Sequence, residues 1–149
     1  MNFDEINERL VEALQVLVAE DGELLERNAS ERSIGARLAA RMIPLFPDHD
    51  VDVEYDRHGL DPKAVELPDI CRGGGRRRII PDIVVHRRGH DEENLLAVEI
   101  KKETNRESRN CDLAKLEAMR RELGYFSGVL IELPAGPGAV ERPLGLHWL

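Results

Sequence analysis

Ile79-Ile80-Pro81-Asp82-Ile83-Val84-Val85-His86 and, a short way on, Leu95-Leu96-Ala97-Val98-Glu99-Ile100-Lys101-Lys102 decide the fold of this chain. Both runs are apolar and rich in β-branched residues, as strands are. Each also carries charge where such a strand should carry none: Asp82 behind Pro81, and Glu99 and Lys101 two residues apart. Strand side chains alternate between faces, so Glu99 and Lys101 point one way while Val98 and Ile100 point the other. Charges in that setting are costly without partners. Two carboxylates and one ammonium on neighbouring strands make a site for a metal ion and a water.

The flanking sequence places further elements around this pair. Arg87 to Asn94 reads as a hairpin loop with Gly89 as its turn residue, and Val51-Asp52-Val53-Glu54-Tyr55 alternates as an earlier strand. Residues 56–78 hold Pro62, Pro68 and Gly73-Gly74-Gly75 and predict a long, mobile connection. Beyond the second run, residues 103–111 are polar and irregular. Asp112 is the expected cap of a helix carrying Leu113, Leu116, Met119 and Leu123, which Gly124 ends. Tyr125–Leu133 predicts a further strand, and Pro134 to Pro143 a loop, after which Leu144, Leu146, Trp148 and Leu149 dock.

At the start, Phe3, Ile6, Leu10, Leu14 and Leu17 fall at helical spacing and predict a helix over 3–20, interrupted by Asp21-Gly22. A second helix is expected from near Asn28 to about Leu45. Asn28 is the candidate N-cap, with Glu31 three residues on as a capping box wants. Its core stripe is Ile34, Leu38, Met42 and Leu45, and Pro44 and Pro47 close it. The order is helix, helix, strand, strand, strand, helix, strand. It predicts an α/β fold with a mixed central sheet of about four strands flanked by helices.

With 149 residues the chain suits one domain with a real core, and aromatics at 4% leave that core to aliphatic side chains. The net charge of −8 argues against coating nucleic acid by bulk electrostatics, although not against local contact. Basic residues do cluster, at Arg72 to Arg78, at Arg87-Arg88 and at Lys101-Lys102. Two cysteines, Cys71 and Cys111, give neither a disulfide scaffold nor a zinc site. The acidic start (Asp4, Glu5, Glu8) lacks the pattern of a signal peptide, and no apolar run approaches membrane-spanning length. The expected setting is cytoplasmic and reduced, without a membrane partner.

Pro81-Asp82, sixteen intervening residues, and Glu99-Ile100-Lys101 together resemble the PD-(D/E)xK nuclease superfamily, the restriction-endonuclease-like fold. The element order resembles that core over roughly residues 28–133, with the opening helix and the tail as accessories. The resemblance implies a Mg²⁺-dependent nuclease, with Mn²⁺ as a substitute, that hydrolyses phosphodiester bonds of DNA. Hard oxygen ligands suit such ions. Asp82, Glu99 and the backbone carbonyl of Ile100 would hold the metal. Lys101 would orient or deprotonate the attacking water and offset transition-state charge. A glutamate of the first core helix often completes the pocket in such folds, and Glu31 is the candidate.

Other readings stand beside these. Asp82, Glu99 and Lys101 can form a structural ion pair on a solvated face, or a silent binding relative of the nucleases can have kept the motif. Glu31 fits the capping box as well as it fits the metal. Arg76, Arg77 and Arg78 form either a phosphate-clamping arm or a solvated loop. His86, on the face of Asp82 and Val84, is a candidate contact for phosphate or a second metal, or a polar residue at the sheet edge. Arg88 lies in the hairpin loop within reach of phosphate. Lys115 is expected to face the pocket, as basic residues of this helix do in some relatives, and Lys102 to point away from Lys101. Glu54 is expected in the pocket because it shares a strand face with Asp52. The helix at 3–20 offers a face for a homodimer, as branched-DNA cutters use, and RNA is an alternative substrate.

Overall fold

The computed structural model describes residues 1–149. Helix α1 spans Phe3–Glu26, capped by Asn2 in a reciprocal box with Glu5. It does not end at Asp21. The axis kinks there, and the helix goes on, because Asp21 is clasped by Arg37 (Nε–Oδ1 3.3 Å) and Arg41 (Nε–Oδ2 3.0 Å) of the next helix. That helix, α2, covers Glu31–Met42. Its N-cap is Ser30, which accepts the Ser33 N–H, and Asn28 instead takes a left-handed backbone just after α1. The expected Asn28–Glu31 box is therefore absent: Glu31 opens the helix, too close to the cap to reach back to it. Pro44 falls in the short 3-10 turn Ile43–Leu45 that closes α2.

Nine strands follow. They are β1 Asp50–Val53, β2 Arg57–His58, β3 Asp61–Pro62, β4 Ala64–Leu67, β5 Gly75–Arg78, β6 Ile83–His86, β7 Leu96–Lys102, β8 Ser127–Leu133 and β9 Gly145–Trp148, with helix α3 at Arg109–Leu123 between β7 and β8. Five of them make the central sheet, in the order β1-β6-β7-β8-β9. Only β7 and β8 run parallel, joined through α3, as a crossover connection requires. The fifth strand comes from the tail, where Leu146 and Trp148 alternate with exposed His147 and pair antiparallel to β8.

The segment 56–78 is structured rather than a bare connection. It forms two small antiparallel pairs, β2–β3 and β4–β5, the second placing Ala64–Leu67 against Gly75–Arg78. Val65 is fully buried while Glu66 is exposed, an alternation short enough to be hidden between prolines and glycines. Strand β6 starts at Ile83, not Ile79: Ile80 is exposed and Pro81 has no N–H for a ladder. Helix α3 is capped by Ser108, whose hydroxyl accepts the Asn110 N–H, so Asp112 lies inside the first turn and is not the cap. Gly124 ends α3 in the left-handed conformation that glycine adopts without penalty.

Both faces of the sheet are buried. Ile83, Val85, Leu96, Val98, Ile100, Val129 and Ile131 pack with α1 and α2, and α1 alone gives six of the 21 buried residues of that core. Val84, Ala97 and Leu130 face the other way, onto Leu116, Met119 and Leu123 of α3. By alternation Glu99 and Lys101, in register with Ala97, lie on the α3 side. This arrangement positions the site.

Candidate active site

The site opens where β6 and β7 part. Their pairing runs from Val85–Leu96 to Ile83–Val98 and stops, while β7 continues to Lys102 against β8. One step beyond the last pair, Asp82 falls opposite Glu99. Asp82 Oδ2 accepts the Ile100 N–H at 2.7 Å, so a side chain does the work of the missing ladder carbonyl. The expected trio is thus brought together: Asp82 at the head of β6, and Glu99 and Lys101 on one face of β7.

Helix α3 answers both β7 charges. Lys115 forms an ion pair with Glu99, and Asp112 Oδ2 lies 3.0 Å from Lys101 Nζ, which also donates to Glu107 at 3.2 Å. Asp112 and Lys115 sit three residues apart, on one helix face, as Glu99 and Lys101 share one strand face. The two pairs are crossed, anion to cation in each direction. Glu99 and Lys101 are buried, at 4% and 7% exposure. Lys115 reaches the strand opening, where its Nζ also donates to the Ile80 carbonyl at 3.3 Å.

Burial, with the neighbouring Asp82 carboxylate adding to it, pushes the Glu99 carboxyl well above the usual range, against the pull of Lys115. Desolvation works against both ammonium groups. Asp112 and Glu107 outweigh it at Lys101, as Glu99 does at Lys115, and both lysines end above their ordinary value.

Glu31 is elsewhere. It rises from α2 on the opposite side of the sheet, where its Oε2 accepts the Lys102 N–H at 2.7 Å and both carboxylate oxygens accept from the Asn105 amide. Its carboxylate ties the end of β7 to α2, on the face of the sheet away from the Glu99 side chain. It does line, with Asp82, Arg32, Gly35, Ala36, Val53 and Glu54, a cavity of about 280 Å³ beside the strand opening. Glu54 reaches that cavity, although not by sharing a face with Asp52. A left-handed backbone at Glu54 turns it toward α2, where Arg32 grips both its oxygens at 3.1 Å. Lys102 points away from Lys101 as expected, donating to the Ala29 carbonyl at 2.9 Å.

The other candidates are engaged in structure. His86 Nε2 lies 2.8 Å from Asp52 Oδ2, an oxygen to which Arg88 Nε also donates at 2.9 Å, and the Tyr55 ring packs edgewise on the imidazole. His86 is therefore a buried clasp between β1 and β6. Arg76 pairs with Glu122 of α3 at 3.2 Å, Arg77 Nε folds back onto the Gly74 carbonyl at 3.3 Å, and Arg78 is exposed. These three lie on β5, an ordered hairpin arm against α3. The structure also joins Cys71 and Cys111 in a disulfide between that arm and the first turn of α3, a pairing that two cysteines 40 residues apart did not predict.

One notable residue escaped the sequence. Lys63 is 2% exposed, with its ammonium over the Tyr55 ring at 4.6 Å, and desolvation lowers its pKa to about 8. It sits between prolines and small strands, where no periodic signal marks burial. The exposed trio His90, Glu92 and Glu93 can bring ligand atoms within 4.8 Å of one another, but it is far from enclosed.

No protein-family model, curated protein or solved structure matches this chain. No helix is long and apolar enough to cross a membrane. The donor set at the strand opening does fit a hard divalent cation: two carboxylates side by side, one with an enclosed oxygen, Glu99 Oε1, that meets the Lys115 ammonium. Mg²⁺ is commonly held by one or two carboxylates and several waters.

Proposed function

We propose that this chain is a metal-dependent nuclease domain of the PD-(D/E)xK type, with the restriction-endonuclease-like core, acting on DNA phosphodiester bonds. The observation that carries this reading is the meeting of Asp82 and Glu99 where β6 and β7 separate, with Lys101 on the same face. The strand order β1-β6-β7-β8, a meander with one parallel crossover, supports it. Asp82, Glu99 and the Ile100 carbonyl would hold Mg²⁺ or Mn²⁺. Once bound, such an ion supplies charge relief at phosphorus and a water of lowered pKa. Lys101 orients the attacking water and stabilises the growing negative charge, and Asp112 holds the Lys101 ammonium in place. Arg78 on the hairpin arm meets the phosphate backbone. A cytoplasmic setting belongs to the same reading. RNA, branched DNA and a homodimer are further arms of the same hypothesis.

The test is cleavage of linear, nicked, branched and single-stranded DNA and of RNA, in Mg²⁺ and in Mn²⁺, by the wild type beside Asp82→Ala. Cutting by the wild type alone is the expected result and ranks the substrates. A second reading, a catalytically silent nucleic-acid-binding or scaffold subunit, is favoured by one observation: α3 already neutralises both β7 charges. Binding of a substrate without cutting under any metal would select it.

A further inference from the structure

We propose that Lys115 is a positioning residue that competes with the divalent cation for Glu99, so that metal settles on Asp82 and Glu99 only as the Lys115 ammonium gives way. This inference rests on the nuclease reading of the acidic pair. It adds a residue outside the Asp-Glu-Lys motif that governs how tightly the site takes metal.

The geometry is specific to Lys115. Its side chain is 18% exposed and that of Glu99 is 5% exposed, and its ammonium lies against Glu99 Oε1, the oxygen with no other donor. A second hydrogen bond to the Ile80 carbonyl, just before Asp82, holds the ammonium at the strand opening. Lys101 does not share this task, since its ammonium is turned to Asp112 and Glu107. An enclosed carboxylate oxygen has room for one cation at contact distance. An ammonium and a doubly charged ion brought to the same oxygen would repel strongly in so poorly solvated a place. The carboxylates attract the metal, while Lys115 sets how much of that attraction is already spent.

The assay is Mn²⁺ binding, followed by the electron paramagnetic resonance signal of the free ion. It compares the full chain with Lys115→Met, Lys115→Arg, Lys101→Met and Asp82→Asn. Lys115→Met is expected to bind Mn²⁺ about tenfold or more tighter than the wild type, and Lys101→Met to gain less. Lys115→Arg, which keeps the charge, should stay near the wild-type affinity. Circular dichroism checks folding, and Lys115→Gln repeats the comparison if the methionine variant does not fold. Binding that depends on Asp82 but is unchanged or weakened in the neutral Lys115 variants overturns this role and leaves the nuclease reading standing. Absence of Asp82-dependent binding in every variant overturns both.

Discussion

Asp112→Asn removes one charge from the crossed pairs and leaves the side-chain shape nearly unchanged. Lys101, 9% exposed at its side chain, would then rely on Glu107, which is 69% exposed. Deleting one partner of a fully buried pair costs about 3–5 kcal/mol, and losing a surface pair about 0–1 kcal/mol. The Asp112 side chain is 16% exposed, and an asparagine oxygen still accepts from the Lys101 ammonium, so the cost falls between these limits. We expect about 2 kcal/mol, which for a chain of this length lowers Tm by about 4–8 °C. Urea unfolding followed by circular dichroism measures it, on the wild type, Asp112→Asn, Lys101→Met and the double variant. The cycle should return a coupling of about 1–2 kcal/mol. A change below about 0.5 kcal/mol, or strict additivity, would refute the idea that Asp112 holds Lys101.

Three further outcomes follow from the geometry. Lys101→Ala should lower cleavage by at least about a hundredfold while the circular dichroism spectrum is kept, and undiminished cutting would end its assigned role. Arg88, together with His86, holds the Asp52 carboxyl below its ordinary range, against desolvation. A depressed carboxyl adds stability that is present above its unfolded pKa of about 3.9 and is lost as pH falls through the folded value. As pH falls below about 4 the wild type should therefore lose stability faster than Asp52→Asn, and parallel urea midpoints would contradict this. Reducing the Cys71–Cys111 bond, which spans 40 residues, should cost up to about 4 kcal/mol by loop entropy, measured as urea unfolding with and without a phosphine reductant.

Much of the central sheet was legible because its strands announce themselves by composition. Leu95–Lys102 and Tyr125–Leu133 lie within a residue or two of β7 and β8, and the charges within the first run mark the strand opening. What was hidden depended on partners distant in sequence. Asp112 has the right type and place for a helix cap, but Lys101 draws it away and Ser108 takes the cap. Glu31 faces inward as its helical phase requires, yet phase does not say which side of the sheet the helix covers. Only the packing of Ile34 and Leu38 under Ile100 puts it opposite Glu99. The β4–β5 arm and buried Lys63 had no periodic signature, because two- to four-residue strands are too short to show one. Strand β9 had its alternation in Leu146 and Trp148, but an edge partner is needed to turn docking residues into a strand.

The crossed ion pairs also act as a register check between helix and sheet. Aliphatic contacts such as those of Leu116 and Met119 are forgiving, since one apolar side chain slides past another at small cost. Charges are not. Were α3 to shift along β7 by about one turn, Asp112 would meet Glu99 in one direction or Lys115 would meet Lys101 in the other, trading two attractions for one repulsion and two unpartnered charges in a poorly solvated place. The charges that form the candidate site thereby also specify where the helix rests on the sheet.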